Sequence, residues 1–287
     1  MRKFFIFGEI LCKIHNRQVI FLIKEYSIKT DTLNLLQTLE GGQAFRWSHD
    51  DNGIFSGIAG GRLLKLRQDS DGITFLDIQE EDIPRWLEYF DMQTDYGGII
   101  DRFSADETLR LAAGENRGLR ILRQEPFETL ISFIISQNNN IPRIKGIISR
   151  LCETFGEKCG DSYAFPEAKR LASATEEELS PLRAGFRNRY ILDAARKTAE
   201  GAVNLGGIYD MTYDEGKEEL KKIVGVGDKV ADCVLLFAYH KTEAFPMDVW
   251  IKRVVAEYYP EGLPECMGEY KGIAQQYLFE YFRNQGK

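Results

Sequence analysis

Leu220-Lys221-Lys222-Ile223-Val224-Gly225-Val226-Gly227-Asp228-Lys229-Val230-Ala231-Asp232-Cys233 is the stretch that decides the fold. A helix running into Ile223 and Val224 meets Gly225-Val226-Gly227, and a second helix starts at Asp228, a residue type suited to an N-cap. Val230, Cys233, Val234 and Phe237 give that second helix an apolar face. Two glycines around one apolar residue make a tight turn. Its backbone N–H groups, with the positive end of the following helix, can be aimed at a phosphate. From these residues alone, an ordinary helical hairpin with a glycine turn is an equal reading.

Lys229 falls in the first turn of the second helix, where the helix dipole and partial desolvation both favour the neutral amine, a nucleophile. Asp248 follows Ala244-Phe245-Pro246-Met247 and opens another helix at Val249. One helix and its return loop suffice to bring the lysine and the aspartate together. The plain alternatives are a solvated or phosphate-bound lysine and an aspartate that only caps its helix.

Outward from the hairpin, the chain changes texture once. From Gly42 to Ile78 the short apolar or alternating runs Gln43–Trp47, Ile54–Ile58, Leu63–Leu66 and Ile73–Ile78 are separated by Asp51-Asn52-Gly53, Ala59-Gly60-Gly61 and Asp69-Ser70-Asp71-Gly72. That pattern predicts an antiparallel meander. After Pro84 the period lengthens from two to between three and four. Pro126 opens a helix with Phe127, Leu130, Ile131, Ile134 and Ile135 on one face, and a second face follows in Ile144, Ile147, Ile148, Leu151, Cys152 and Phe155. Further helices are predicted over 168–178, 189–201, 214–223, 228–239, 248–258 and 268–283. The expected fold class is α+β. A small N-terminal antiparallel β-sheet domain, 24–104, precedes a larger all-α domain, 105–287. Residues 1–23 read as an extension or a strand. Glu9, Lys13, His15 and Arg17 break their apolar runs below the length a bilayer requires, and no small-residue cleavage site follows the basic start. No membrane association is expected.

The composition is that of an ordinary globular protein: 287 residues, 44% hydrophobic and 28% charged. A formal net charge of −7 argues against uniform basicity, and Lys/Arg neutralisation of phosphate dominates nucleic-acid affinity. The deficit is local, however. Residues 71–100 hold eight acids (Asp71, Asp77, Glu80, Glu81, Asp82, Glu88, Asp91, Asp95) against Arg85, so the other 257 residues sum to zero. Within that remainder the decapeptides 141–150, 181–190 and 221–230 carry +3, +3 and +2. A solvated acidic face turned away from any polyanion, and a focused basic groove sensitive to salt, are expected. Five irregularly spaced cysteines (Cys12, Cys152, Cys159, Cys233, Cys266) and three scattered histidines make neither a disulfide framework nor a zinc site, and suit a reducing cytoplasm.

Taken together, Gly225–Cys233 and Pro246-Met247-Asp248-Val249 resemble the helix-hairpin-helix (HhH-GPD) DNA glycosylase superfamily, with its Gly/Pro-rich loop and closing aspartate. More narrowly they are similar to its 8-oxoguanine DNA glycosylase/AP lyase branch. The similarity runs over roughly residues 25–283. It includes Gly42-Gln43-Ala44-Phe45-Arg46-Trp47, Ser136-Gln137-Asn138-Asn139-Asn140-Ile141-Pro142-Arg143-Ile144, Gly185-Phe186-Arg187-Asn188-Arg189-Tyr190 and Ala274-Gln275-Gln276-Tyr277-Leu278-Phe279. Each is weak alone; together and in order they are specific.

The resemblance implies a bifunctional enzyme of base excision repair that extrudes the damaged nucleotide from duplex DNA. Lys229 is implied as the nucleophile, attacking the sugar C1′ and leaving a Schiff base that permits β-elimination. Asp248 is implied to orient the lysine and stabilise the cationic sugar. The Gly42 carbonyl would accept the hydrogen that 8-oxoguanine carries on N7 and guanine lacks. Cys233 and Phe279 would sandwich the base, and Gln275, with Gln276 adjacent in the motif, would read its Watson–Crick edge. Asn138, Arg143 and Arg187 would hold the orphaned cytosine beside the wedge Phe186, two guanidinium groups satisfying its acceptors. Gly225, Val226 and Gly227 would clamp the DNA backbone.

Two positions depart from the family pattern: Trp250 stands where animal members carry a histidine, and Ala44 where serine is common. No metal or other cofactor is expected, and Cys266 alone beyond Cys233 cannot ligate an iron–sulfur cluster. The expected partner is double-stranded DNA containing oxidised guanine, met by a monomer in the cytoplasm, nucleoid-associated in a prokaryote. The competing readings are a monofunctional alkylpurine glycosylase that activates water through Asp248 alone, and a non-catalytic DNA-binding module.

Overall fold

The computed structural model describes residues 10–15 and 18–286. The chain begins with β1 (Ile10–His15) and β2 (Gln18–Lys29), then α1 (Leu35–Glu40), and continues through β3 (Trp47–His49), β4 (Ile54–Ala59), β5 (Arg62–Asp69) and β6 (Gly72–Gln79). These six strands form one antiparallel sheet in the order β1-β2-β6-β5-β4-β3. Three of the four predicted runs are strands. A row of inward side chains crosses the sheet, Tyr26 opposite Phe75, Phe75 opposite Leu66 and Leu66 opposite Phe55. All four are buried, so the pairing register is fixed by which face must leave water.

The exception is Gln43–Trp47. Only Trp47 is a strand residue; Gln43–Arg46 form an irregular loop. The buried Gln43 amide decides this. Its Nε2 donates to the Thr38 and Arg120 carbonyls at 2.9 and 2.7 Å, and its Oε1 accepts from Leu122 N at 2.9 Å. A side chain doing a backbone's bonding leaves no ladder to join.

The helical part comprises α2 (Ile83–Tyr89), α3 (Tyr96–Phe103), α4 (Glu107–Glu115), α5 (Pro126–Ser136) and α6 (Ile141–Phe155), a two-residue hairpin of β7 (Lys158–Cys159) and β8 (Ser162–Tyr163), then α7 (Ala168–Ala172), α8 (Arg187–Ala199), α9 (Tyr213–Lys221), α10 (Asp228–Tyr239), α11 (Val249–Tyr258) and α12 (Lys271–Asn284). α7 stops six residues short of the predicted helix. Thr175 N donates to Glu178 Oε2 and Glu178 N to Thr175 Oγ1, a reciprocal cap that starts a new turn.

Neither expected domain boundary coincides with a break in the structure. β2 runs through position 23/24, and Tyr96, Ile99, Ile100 and Phe103 already pack in the helical core. Two cores result, one under the sheet around Trp47, Trp86 and Phe90, and one among the helices around Phe133, Phe237 and Tyr277. The acidic stretch is not wholly a solvated face either. Asp91 is buried with Arg123 at 2.9 Å and His240 at 3.2 Å, pinning the C-terminal end of α10 to the sheet domain.

Candidate active site

α10 is the element on which the site turns. Phe237 stacks on Phe133 of α5, centroids 5.3 Å apart, and one end of α10 is thereby fixed against a helix whose residues 129–135 are all buried. At the other end the hairpin turn is locked by sterics. Gly225 has φ +86°, and a Cβ there would lie 2.5 Å from the Tyr190 ring. Gly227, not Asp228, is the N-cap of α10. The Asp228 carboxylate is drawn instead to Lys221, 3.2 Å away. Behind it, Tyr213 donates to the buried Asp232 at 2.6 Å and Lys217 pairs with it at 2.9 Å, bolting α9 to α10.

This places Lys229 at the wall of an open cleft of about 600 Å³. Asp248, the N-cap of α11, lines the same cleft and accepts from Ile251 N at 2.7 Å. The Lys229 Nζ lies 5.3 Å from the Phe133 ring centre, and the buried Cys233 follows one turn on along α10. Burial pushes the Cys233 thiol up to about 11, with Lys229 lowering it and Asp232, then Asp248, raising it.

Of the other expected residues, Gly42, Asn138, Gly227 and Phe279 line the cleft, joined by Ser136, Gln137, Trp250 and Lys252. Gly42 sits at φ +77°, and its place is set by the neighbouring Gln43 amide. Cys233 and Gln275 are buried and do not line the open cleft; each stands one turn behind a residue that does, Lys229 and Phe279 respectively. No residue of the acidic stretch 71–100 lines it. Trp250 does, with Arg253 5.8 Å over its ring.

The residues expected to hold an opposite base divide in two. Arg143 is exposed in the first turn of α6, whose N-cap Asn140 accepts from its backbone N–H. Asn138 is exposed in left-handed backbone, φ +47°, which asparagine tolerates. Phe186 is 50% exposed, edge-on to Tyr190. Arg187 is different. It is buried, and its guanidinium donates to the carbonyls of Gln137, Asn138 and Ala184. Burial, then the neighbouring Arg143 charge, push it below its usual range. Arg187 is therefore first a brace between α5 and α8.

Among the described residues no cluster of three or more His, Cys, Asp or Glu could hold a metal ion. Sequence reasoning missed Gln43 as the anchor of the Gly42 loop and Phe133 as the ring under Lys229. Phe133 lay outside the apolar face read from the sequence, and only the position of Gln43 beside a turn glycine signalled its role.

A lysine at one helix start and an aspartate at the next, facing one cleft behind a glycine hairpin, define a helix-hairpin-helix protein with a candidate active-site pair. Comparison with known proteins narrows the class. The N-terminal domain model of 8-oxoguanine DNA glycosylase matches residues 25–130, and that of the HhH-GPD superfamily base excision DNA repair protein matches 131–262. An N-glycosylase/DNA lyase of Saccharomyces cerevisiae is 34% identical over 263 residues, 81% of this chain and 70% of that protein. N-glycosylase/DNA lyase OGG1 of Arabidopsis thaliana is 29% identical over 281 residues, 86% of this chain and 76% of that protein. A solved Clostridium acetobutylicum 8-oxoguanine glycosylase/lyase, in complex with double-stranded DNA containing cytosine opposite to 8-oxoG, superposes with a TM-score of 0.85 at 36% identity, covering 98% of this chain and 99% of that one. The chain belongs to the N-glycosylase/DNA lyase family of the HhH-GPD superfamily.

Proposed function

We infer that this protein is a bifunctional DNA glycosylase and AP lyase that removes 8-oxoguanine from duplex DNA in base excision repair. The observation that carries the reading is the shared cleft of Lys229 and Asp248 in a chain of this family. The Lys229 amine attacks C1′ of the extruded nucleotide, and the base departs with the electrons of the glycosidic bond. Loss of a proton and ring opening leave a Schiff base, from which the C2′ proton and then the 3′ phosphate are eliminated. Asp248, held by its own helix cap, takes up the amine's proton and faces the developing cationic sugar.

Gly42 supplies the carbonyl that accepts from N7–H, Cys233 and Phe279 flank the base, and Gln275 meets its Watson–Crick edge. Arg143, exposed at the rim, reads the opposite base directly, with cytosine the preferred partner and Phe186 the wedge. Arg187 shapes that rim and offers its one N–H not engaged with carbonyls. Gly225, Val226 and Gly227 hold the DNA backbone, and no cofactor is needed. No described helix is long and apolar enough to cross a membrane. The protein works as a monomer on DNA in the cytoplasm, within the nucleoid in a prokaryote.

Borohydride trapping on an 8-oxoguanine duplex tests the lysine chemistry. A covalent adduct with the wild type and none with Lys229→Gln is expected. Absence from the wild type, or persistence in the variant, overturns it in favour of water activated by Asp248 alone or of simple DNA binding.

A further inference from the structure

α12 carries two polar stripes. Gln275 and Phe279 are four residues apart and share a face; Gln276 and Glu280 share the adjacent one. Gln275, Gln276 and Glu280 are all at least 95% buried. Gln276 Nε2 donates to Gln275 Oε1 at 2.8 Å, and Glu280 Oε1 accepts from Arg283 Nη2. Arg283 in turn lies 5.5 Å from the Phe279 ring centre and 4.0 Å from the point a Cβ on Gly42 would occupy. Glu280 Oε1 is 3.5 Å from the corresponding point on Gly41. The pair thus stands beneath the elements assigned above to the damaged base.

Two acceptors in this group have no partner, Gln276 Oε1 and Glu280 Oε2. They belong to residues one helical turn apart, and leaving both buried without a donor is costly. A proton on Glu280 would satisfy both and keep the Gln276 Nε2–Gln275 Oε1 bond, which turning the Gln276 amide would break, because a carboxylic acid donates from one oxygen while the other keeps its guanidinium.

We propose that Glu280 and Gln276 are positioning residues that lock the Gln275 amide: a proton held on Glu280 Oε2 is donated to Gln276 Oε1, and Gln276 Nε2 donates to Gln275 Oε1. This rests on the reading above that Gln275 meets the extruded base. Burial pushes the Glu280 carboxyl up against the opposing pull of Arg283, the direction the relay requires. Arg283 is the charged group that faces it; the loop packed on it contributes the uncharged Gly41 backbone.

The lock has a consequence for specificity. The two ends of a primary amide are almost the same size, so an unrestrained glutamine can present either. A guanine edge offers an acceptor at O6 and a donor at N1–H; an adenine edge offers a donor at N6 and an acceptor at N1. A rotating amide pairs with both. With one lone pair of Gln275 Oε1 taken by Gln276, the second lone pair and Nε2 match the guanine sense alone. The relay therefore makes an ambivalent amide selective for guanine-type over adenine-type oxidised bases.

The test compares single-turnover excision of 8-oxoguanine and 8-oxoadenine from one duplex context by the full chain and by Glu280→Gln, Glu280→Leu and Gln276→Met. Borohydride trapping on a preformed abasic site, where there is no base to read, is measured for each. Glu280→Leu and Gln276→Met should lower the 8-oxoguanine to 8-oxoadenine ratio roughly tenfold, the scale of one lost hydrogen bond, with abasic trapping unchanged. Glu280→Gln donates its amide N–H to Gln276 Oε1 and should keep the ratio. A wild-type ratio in Glu280→Leu and Gln276→Met, or a Glu280→Gln as impaired as Glu280→Leu, overturns the proposal. If Glu280→Leu loses trapping through misfolding, Gln276→Met decides by itself, and a wild-type ratio there overturns it. A wild type that traps at abasic sites yet excises no 8-oxoguanine overturns the functional reading and this inference with it. Wild-type excision with unmoved ratios overturns this inference alone.

Discussion

Arg187 Nη2 donates to the Asn138 carbonyl at 3.0 Å, tying the first residue of α8 to a left-handed residue at the rim of the cleft. Its Nε also donates to Gln137 O at 3.0 Å and its Nη1 to Ala184 O at 3.0 Å. Arg187 and the exposed Arg143 therefore separate structure from recognition. Arg187→Ala should cost about 2–4 kcal/mol in denaturant unfolding, because it strips a charged donor from one buried and two part-buried carbonyls. Arg143→Ala should change stability by less than about 0.5 kcal/mol. Yet Arg143→Ala should collapse the preference for excision opposite C over A. An unchanged ratio there would refute the recognition role, and a stable Arg187→Ala would refute the brace.

Asp248 has two tasks that substitution can part. Asparagine caps a helix as well as aspartate does, whereas alanine forfeits about 1 kcal/mol. Asp248→Asn should accordingly unfold at the wild-type denaturant midpoint while losing roughly 10²–10³ in excision rate, the scale of one missing electrostatic stabiliser. Asp248→Ala should show the same rate loss and a lower midpoint. Equal rates for Asp248→Asn and wild type would mean that the carboxylate only caps α11.

Beneath the Gly42 loop, Glu128 is largely but not fully withdrawn from water against Arg46, 3.3 Å away, and its carboxyl is pushed up to about 7 by burial, against the pull of that guanidinium. The folded state therefore holds a proton on Glu128 through a range where the unfolded carboxyl, near 4.5, has lost it. Native protein binds the extra proton, so this group's contribution to stability is fully present below about 4.5 and declines as pH rises to about 7. The decline amounts to about 3 kcal/mol at most. Glu128→Gln should flatten the plot of unfolding free energy against pH between these limits relative to wild type. Parallel plots would place the proton elsewhere.

How much of this was legible in the sequence depended on how far each residue's partners lie along the chain. The apolar faces of α5 and α6 are local patterns, and both helices form where the spacing predicts them. Lys229 and Asp248 were equally legible, since one helix and a return loop join them. Gln43–Trp47 misled because its alternation imitates a strand, while the bonds that decide it run to Arg120 and Leu122, nearly eighty residues away. Asp228 misled for a related reason: it is a fine cap by type, but Lys221 across the hairpin captures its carboxylate and leaves the cap to Gly227. Arg187 was expected to read a base, and two of the three carbonyls that hold it, those of Gln137 and Asn138, come from a loop about fifty residues earlier.

The two hairpin glycines make the last contrast, because they look alike in sequence and differ in space. At Gly225 a side chain would need left-handed backbone and would strike Tyr190 at 2.5 Å. Gly225→Ala should therefore cost about 1–2 kcal/mol in backbone strain and a further 1–3 or so in forced repacking. At Gly227 φ is −101° and a Cβ meets nothing within 4 Å, so Gly227→Ala should cost less than about 1 kcal/mol. What it would obstruct is the approach of a phosphate to the start of α10. Binding of undamaged duplex should weaken in Gly227→Ala at unchanged thermal stability, and the dependence of affinity on salt should become shallower as a phosphate contact is lost. A Gly227→Ala protein with wild-type affinity and salt slope would show that the hairpin turn is only a joint between α9 and α10, and that the DNA backbone is held elsewhere.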